Sequence, residues 1–177
     1  RASRPVPGSV VRVATIVLIS GAPGSGKTTL AAALAAELGW PRVDRDQLYA
    51  GLSAGSGYDR DAVVPHGVRL FWSATAHLAA AGCSVVADAT LYRDQSEADV
   101  RSVLVPAGDV RNVHCRSALA SERFVARGHP RAVNDRVARN APLVTEPLAL
   151  GVPLLEVDTT DGYDPALPSI VGWLRPV

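Results

Sequence analysis

The chain has 177 residues, 47% of them hydrophobic and 20% charged, with a formal net charge of +1. That length suits one domain with a substantial core, and the balance argues against both a disordered chain and a broadly basic nucleic-acid binder. No apolar run reaches the roughly twenty residues that a membrane span requires. In chain order, residues 1–12, with two prolines and a glycine, read as a flexible tail, and 13–177 as a single domain. The absence of methionine points to a processed or truncated start. "VVRVATIVLIS" superficially resembles a secretory signal, but Arg12 interrupts it and it runs into a glycine loop, so it is read as the first strand. "PRVD", "CSVVADAT", "VRNVHCR" and "PLLEVD" supply four more strands. Nearly continuous apolar runs of this kind suit a parallel sheet covered on both faces.

Helices are expected between the strands. Lys27 to Leu38 follows the glycine loop, and "VVPHGVRLFWSATAHLAAAG" ends at Gly82 as a helix stop. "RDQSEADVRSVLV" and "SALASERFVARG" give two more, and "DPALPSIVGWL" closes the chain, with Asp164 read as its cap. "GLSAGSGYDRD" and "GHPRAVND" are expected to be mobile loops. Cys83 and Cys115 sit beside apolar runs and read as reduced core thiols, which implies a reducing cytosol and a cytoplasmic protein. Neither they nor the histidines have zinc spacing.

"GAPGSGKT", Gly21 to Thr28, fits G-x-x-x-x-G-K-[ST] and lies between a strand and a helix. Gly21, Ala22, Pro23, Gly24, Ser25 and Gly26 let the backbone wrap so that N–H groups and the helix N-terminus face the β- and γ-phosphates. The composition supports this. Of 18 basic residues 17 are arginine, and the one lysine is Lys27. A compact ammonium can bridge two phosphates in a loop too cramped for a planar guanidinium. Thr28 would ligate Mg²⁺, and Thr29 would support the helix turn. The expected cofactors are ATP and Mg²⁺.

The acceptor side must come from elsewhere. "VDRDQLY" places Asp44, Arg45 and Asp46 at the carboxyl end of the second strand, where open α/β sheets bind ligands. Asp46 is read as the general base for a hydroxyl, with Arg45 and Tyr49 nearby; the alternative is that these charges cap a helix, which suits Asp44. Asp88, ending "VVAD", is read as linked to the metal, directly or through water, or else as binding the acceptor or supporting the glycine loop. Arg93 could meet substrate or a carboxylate on the next helix. Arg123 and Arg127, four apart, read as cations of a lid closing over ATP, with Arg131 and Arg136 in the loop after them. His66 and Arg69 are candidate acceptor contacts; His77, His114 and His129 read as ordinary polar groups.

Taken together, "GAPGSGKTTL", "VDRD", "VVADAT", "RFVAR" and "EVDTT" resemble the P-loop kinase group that includes phage polynucleotide kinase, zeta toxins and chloramphenicol phosphotransferase. The resemblance extends from about Thr15 to Trp173. It implies a three-layer α/β fold with a five-stranded parallel sheet in the order 2-3-1-4-5, Asp46 as base, Arg123 and Arg127 as lid arginines, and adenine near Thr159 to Gly162. Polynucleotide kinases carry an arginine three residues after the base for the acceptor's 3′-phosphate, and here that place is Tyr49. The expectation is therefore a kinase for a small-molecule hydroxyl: an antibiotic, a nucleoside-like compound or a sugar nucleotide. The alternatives are a polynucleotide 5′-hydroxyl kinase and an ATP-binding regulatory module without phosphotransfer.

Overall fold

The structure, a computed structural model, describes residues 13–54, 57–128 and 131–175. The tail expected over residues 1–12 lies outside them, as do His129 and parts of both expected loops. Five parallel strands, β1 (Thr15–Gly21), β2 (Arg42–Asp44), β3 (Val85–Asp88), β4 (Asp109–Arg116) and β5 (Leu154–Asp158), lie in the order β2-β3-β1-β4-β5. This is the sheet that the resemblance implies.

β1 is buried along its whole length because side chains alternate across a sheet and both faces are covered. Ile16 and Leu18 join a core with Phe71, Trp72 and Ala79 of α3 (Arg60–Ala80). Val100 and Leu104, from a π-helical turn (Val100–Leu104) that continues α4 (Ser96–Asp99), complete this layer. Val17 and Ile19 point the other way, to Leu30 and Leu34 of α1 (Lys27–Leu38) and Ile170 and Leu174 of α8 (Leu167–Leu174). α1 ends on Gly39, left-handed at φ 67°, whose N–H turns back to the Ala35 and Ala36 carbonyls.

The register sets up the site. Asp44 lies beside Asp88, and Asp88 beside Ile19, so the ends of β2 and β3 flank the start of the glycine loop.

Several elements differ from expectation. Two helices were not foreseen, α6 (Arg131–Asn140) and α7 (Pro142–Thr145), while α2 (Arg45–Ser53) follows the alternative in which the charges after β2 cap a helix. α6 begins in a polar, charged run that reads as loop. Arg131 and Arg136 therefore lie in α6, and Gly51–Ser53 belongs to α2 rather than to a mobile loop. The helix expected to carry the lid arginines is short, α5 (Ala120–Val125), which leaves Arg127 in the turn beyond it. Ala166, not Asp164, precedes α8 as its cap residue. Cys115 is buried, but Cys83 is exposed, because β3 starts only at Val85. Among the described residues no helix is long and apolar enough to cross a membrane.

Candidate nucleotide and acceptor site

The loop between β1 and α1 is shaped by glycine backbone geometry. Gly24 and Gly26 are left-handed at φ 83° and 78°, which a side chain would strain. Gly24 is further excluded from bearing one because a Cβ would lie 2.0 Å from the Ala120 carbonyl of α5. The Ser25 N–H folds back onto the Ala22 carbonyl at 3.1 Å. The Lys27 ammonium donates to the same carbonyl at 2.8 Å.

Lys27 is buried, and burial lowers its pKa to about 8, an effect opposed first by the charge of Asp88. Asp88 is buried in turn, and desolvation raises its pKa; the hydroxyl of Thr28, which donates to it, and the Lys27 charge pull the other way. A lysine, a hydroxyl and a carboxylate are thus brought together at the mouth of the loop. Thr29 is exposed on the first turn of α1.

The two aspartates after β2 have separate surroundings. Asp44 caps α2, accepting from the Asp46 and Gln47 N–H groups at 2.9 and 3.1 Å, and pairs with Arg42 at 3.1 Å. Arg42 also donates to the Thr28 carbonyl at 3.1 Å, tying β2 to α1. Asp46 is exposed on the first turn of α2, and its charge acts on Lys27. The neighbouring Arg45 turns inward to donate to the Thr90 carbonyl, with its guanidinium 5.9 Å from the Tyr49 ring centre and 6.0 Å from that of Phe71. Tyr49 is buried between α2 and α3, where Gly67 makes room: a Cβ there would lie 2.3 Å from the ring.

The two arginines expected in a lid occupy different places. Arg123 donates to the Ser117 hydroxyl at 3.3 Å and to the Thr159 and Thr160 carbonyls at 3.0 and 2.8 Å, so it ties α5 to the loop after β5. Arg127 is exposed in the turn after α5, and its charge reaches Lys27. Arg93 pairs with Glu146, beyond α7, rather than with a carboxylate on the next helix. His66 and Arg69 contact each other at 3.0 Å on the exposed side of α3. His114 is buried behind the site, with Nδ1 3.0 Å from the Ser20 hydroxyl and Nε2 3.2 Å from the Thr145 carbonyl; burial lowers its pKa. No group of three or more metal-binding side chains occurs among the described residues. Arg42, and the contact of Thr159 with the loop, were missed because they act through carbonyls of the loop and α1, contacts that no spacing in the sequence reveals.

These residues fit a nucleotide triphosphate and its cation. Left-handed glycines turn amides toward one anion, the Lys27 ammonium has donors beyond its one carbonyl bond, and the Thr28–Asp88 pair offers the hard oxygens that Mg²⁺ prefers.

With this cradle opening β1–α1 at the centre of a 2-3-1-4-5 sheet, the architecture is that of a P-loop kinase, a nucleotide-binding transferase class. Residues 16–143 match the AAA domain family, and the chain belongs to it. A Chloroflexus aurantiacus protein provisionally named as a kinase is 25% identical, with a TM-score of 0.75 over 93% of this chain and 95% of that one. An unliganded sugar kinase from Janibacter shares the fold at 21% identity and a TM-score of 0.64, over 92% and 94% of the two chains. The APS kinase of Mycobacterium tuberculosis, solved with AMPPNP and APS, shares it at 24% identity and 0.61, over 93% and 99%. No curated protein matches the sequence significantly.

Proposed function

We propose that this kinase transfers the γ-phosphate of ATP to a hydroxyl of a small molecule, with Asp46 as the base. The observation that carries the reading is the division of labour after β2: Asp44 is committed to the helix cap and Arg42, while Asp46 stands exposed with its charge acting on Lys27. Asp46 takes the proton of the acceptor hydroxyl as its oxygen forms a bond to the γ-phosphorus and the bond to the leaving ADP oxygen breaks. Residues 21–26 and Lys27 hold the phosphates, and Arg127 neutralises charge on the group in transfer. Thr28 and Asp88 would hold Mg²⁺, which would supply positive charge to offset the negative charge of the phosphates. Arg123, bound to the Thr159 and Thr160 carbonyls, shapes the adenine side.

A small acceptor is favoured over an oligonucleotide because the place of the polynucleotide kinase arginine is a buried tyrosine, Tyr49. Two fold neighbours are named as kinases of small molecules, a sugar and APS. With Arg45 and Arg93 engaged on Thr90 and Glu146, the acceptor would be selected chiefly by the exposed surface around Asp46.

The test is transfer of labelled γ-phosphate to a panel of sugars, nucleosides, UDP-sugars, aminoglycosides, chloramphenicol-like compounds and a 5′-hydroxyl oligonucleotide. One labelled small molecule, lost in Asp46→Asn, supports the reading. A labelled oligonucleotide replaces it with the polynucleotide reading, and ATP hydrolysis indifferent to Asp46 with no labelled compound replaces it with the regulatory one.

A further inference from the structure

Thr159 lies 134 residues from the glycine loop in sequence, yet its buried hydroxyl donates to the Ser25 carbonyl at 2.7 Å. The Arg116 carbonyl stands at 3.1 Å from the same oxygen, so the single proton is directed mainly at the shorter contact. Ser25 C=O and Gly26 N–H belong to one planar trans peptide, in which carbonyl and amide point in opposite directions. Holding the carbonyl toward β5 therefore aims the Gly26 N–H away from it, toward the concave side of the loop, where the phosphates would sit on the proposed reading.

The side chain is seated against the loop. A Cβ added to Gly26 would lie 3.2 Å from Thr159 Oγ1 and 3.3 Å from its Cβ. Thr159 is itself fixed: its N–H donates to the Arg116 carbonyl at 2.9 Å, and its own carbonyl accepts from Arg123 at 3.0 Å. Arg123 comes from α5, whose Ala120 carbonyl packs against Gly24. A chain of contacts thus runs from α5 through the β5 loop to the Ser25–Gly26 peptide of the glycine loop.

We infer that Thr159 is a positioning residue of the phosphate site: its hydroxyl presets the Gly26 amide before nucleotide arrives. An amide held in place beforehand need not be reoriented when the anion binds, so the contribution appears as affinity for phosphate and not for the nucleoside.

The experiment measures ADP and adenosine binding to the full chain by calorimetry or saturation titration, so it needs no acceptor and is independent of the acceptor assignment. Thr159→Val keeps the shape and removes the hydroxyl; Thr159→Ser keeps the hydroxyl. The expected result is an ADP affinity about tenfold weaker in Thr159→Val, adenosine affinity within about twofold, and Thr159→Ser within about threefold of wild type for both. ADP binding unchanged in Thr159→Val, or ADP and adenosine weakened equally, overturns the inference and leaves Thr159 a buried structural group. If the valine variant does not fold, the same ratio is compared between Thr159→Ala and Thr159→Ser, and equal ratios overturn it.

Discussion

The phosphate side and the acceptor side of this site are built in opposite ways. On the phosphate side Ser25, Lys27 and Thr159 are 0%, 7% and 5% exposed, and the contacts run through carbonyls of the loop itself. On the acceptor side the proposed base is exposed on α2, and Leu52 and Tyr58 nearby in sequence are exposed too. Phosphate is the same in every reaction of the class, so it can be bound by backbone locked into the core; an acceptor must be chosen, which requires side chains at the surface. Variants on the first side should disturb nucleotide binding, and variants on the second should disturb transfer while nucleotide binding persists.

The largest break in this contrast is Lys27→Ala, expected to lower transfer by about two to three orders of magnitude and to weaken ADP binding, read by labelled transfer and calorimetry. Asp46→Asn should lower transfer by about two orders of magnitude while ADP affinity stays within about threefold, read by the same pair of measurements. An equal loss of ADP affinity would abolish the distinction between the sides.

Stability gives the next effect. The folded pKa of Lys27, about 8, lies below its ordinary 10.5, so between these values the unfolded chain holds the extra proton and stability rises with pH. Wild type should thus gain on Lys27→Ala by about 3 kcal/mol across that window, read by denaturant unfolding of both proteins. Cys115, pushed up to about 12 by burial, acts with the opposite sign above its ordinary 9.0, and because the Lys27 charge also acts on it, the Lys27 slope is read cleanly between about 8 and 9. Gly67→Ala, on the acceptor side, meets the Tyr49 ring and should destabilise by about 1–3 kcal/mol, read by the same unfolding curves, without changing ADP affinity in the folded protein. The smallest effect is on nucleotide affinity with pH. Bound phosphates favour the Lys27 ammonium, so ADP affinity should fall by at most about tenfold per pH unit above about 8, read by calorimetry.

The parts of the site that were legible are those carried by local sequence. A strand, three turn-forming glycines, a lysine and a threonine in succession leave little choice of geometry, and the placement of Asp44 against Asp46 follows from a two-residue spacing at a helix start. The helix α2 was read only as the alternative because its first turn is charged, and its stability comes from the Asp44 cap and from Tyr49 packed beneath Gly67. Arg123 and Arg127 were paired by their spacing. Only the early end of α5 at Val125 and the three acceptors around Arg123 separate them.

By itself the amino-acid sequence determined the chemistry available at the loop, since a phosphate cradle is made of backbone and its geometry depends on residues next to one another. It determined the alternation of strand and helix too, because burial on both faces of a sheet leaves its mark in apolar runs. The tertiary structure alone decided which carbonyl Thr159 meets, which way Arg45 and Arg123 turn, and that Asp88 stands between Asp44 and the glycine loop. Those contacts join segments as far as 134 residues apart, and they exist only once the hydrophobic layers have brought the ends of β1, β3 and β5 to one edge of the sheet.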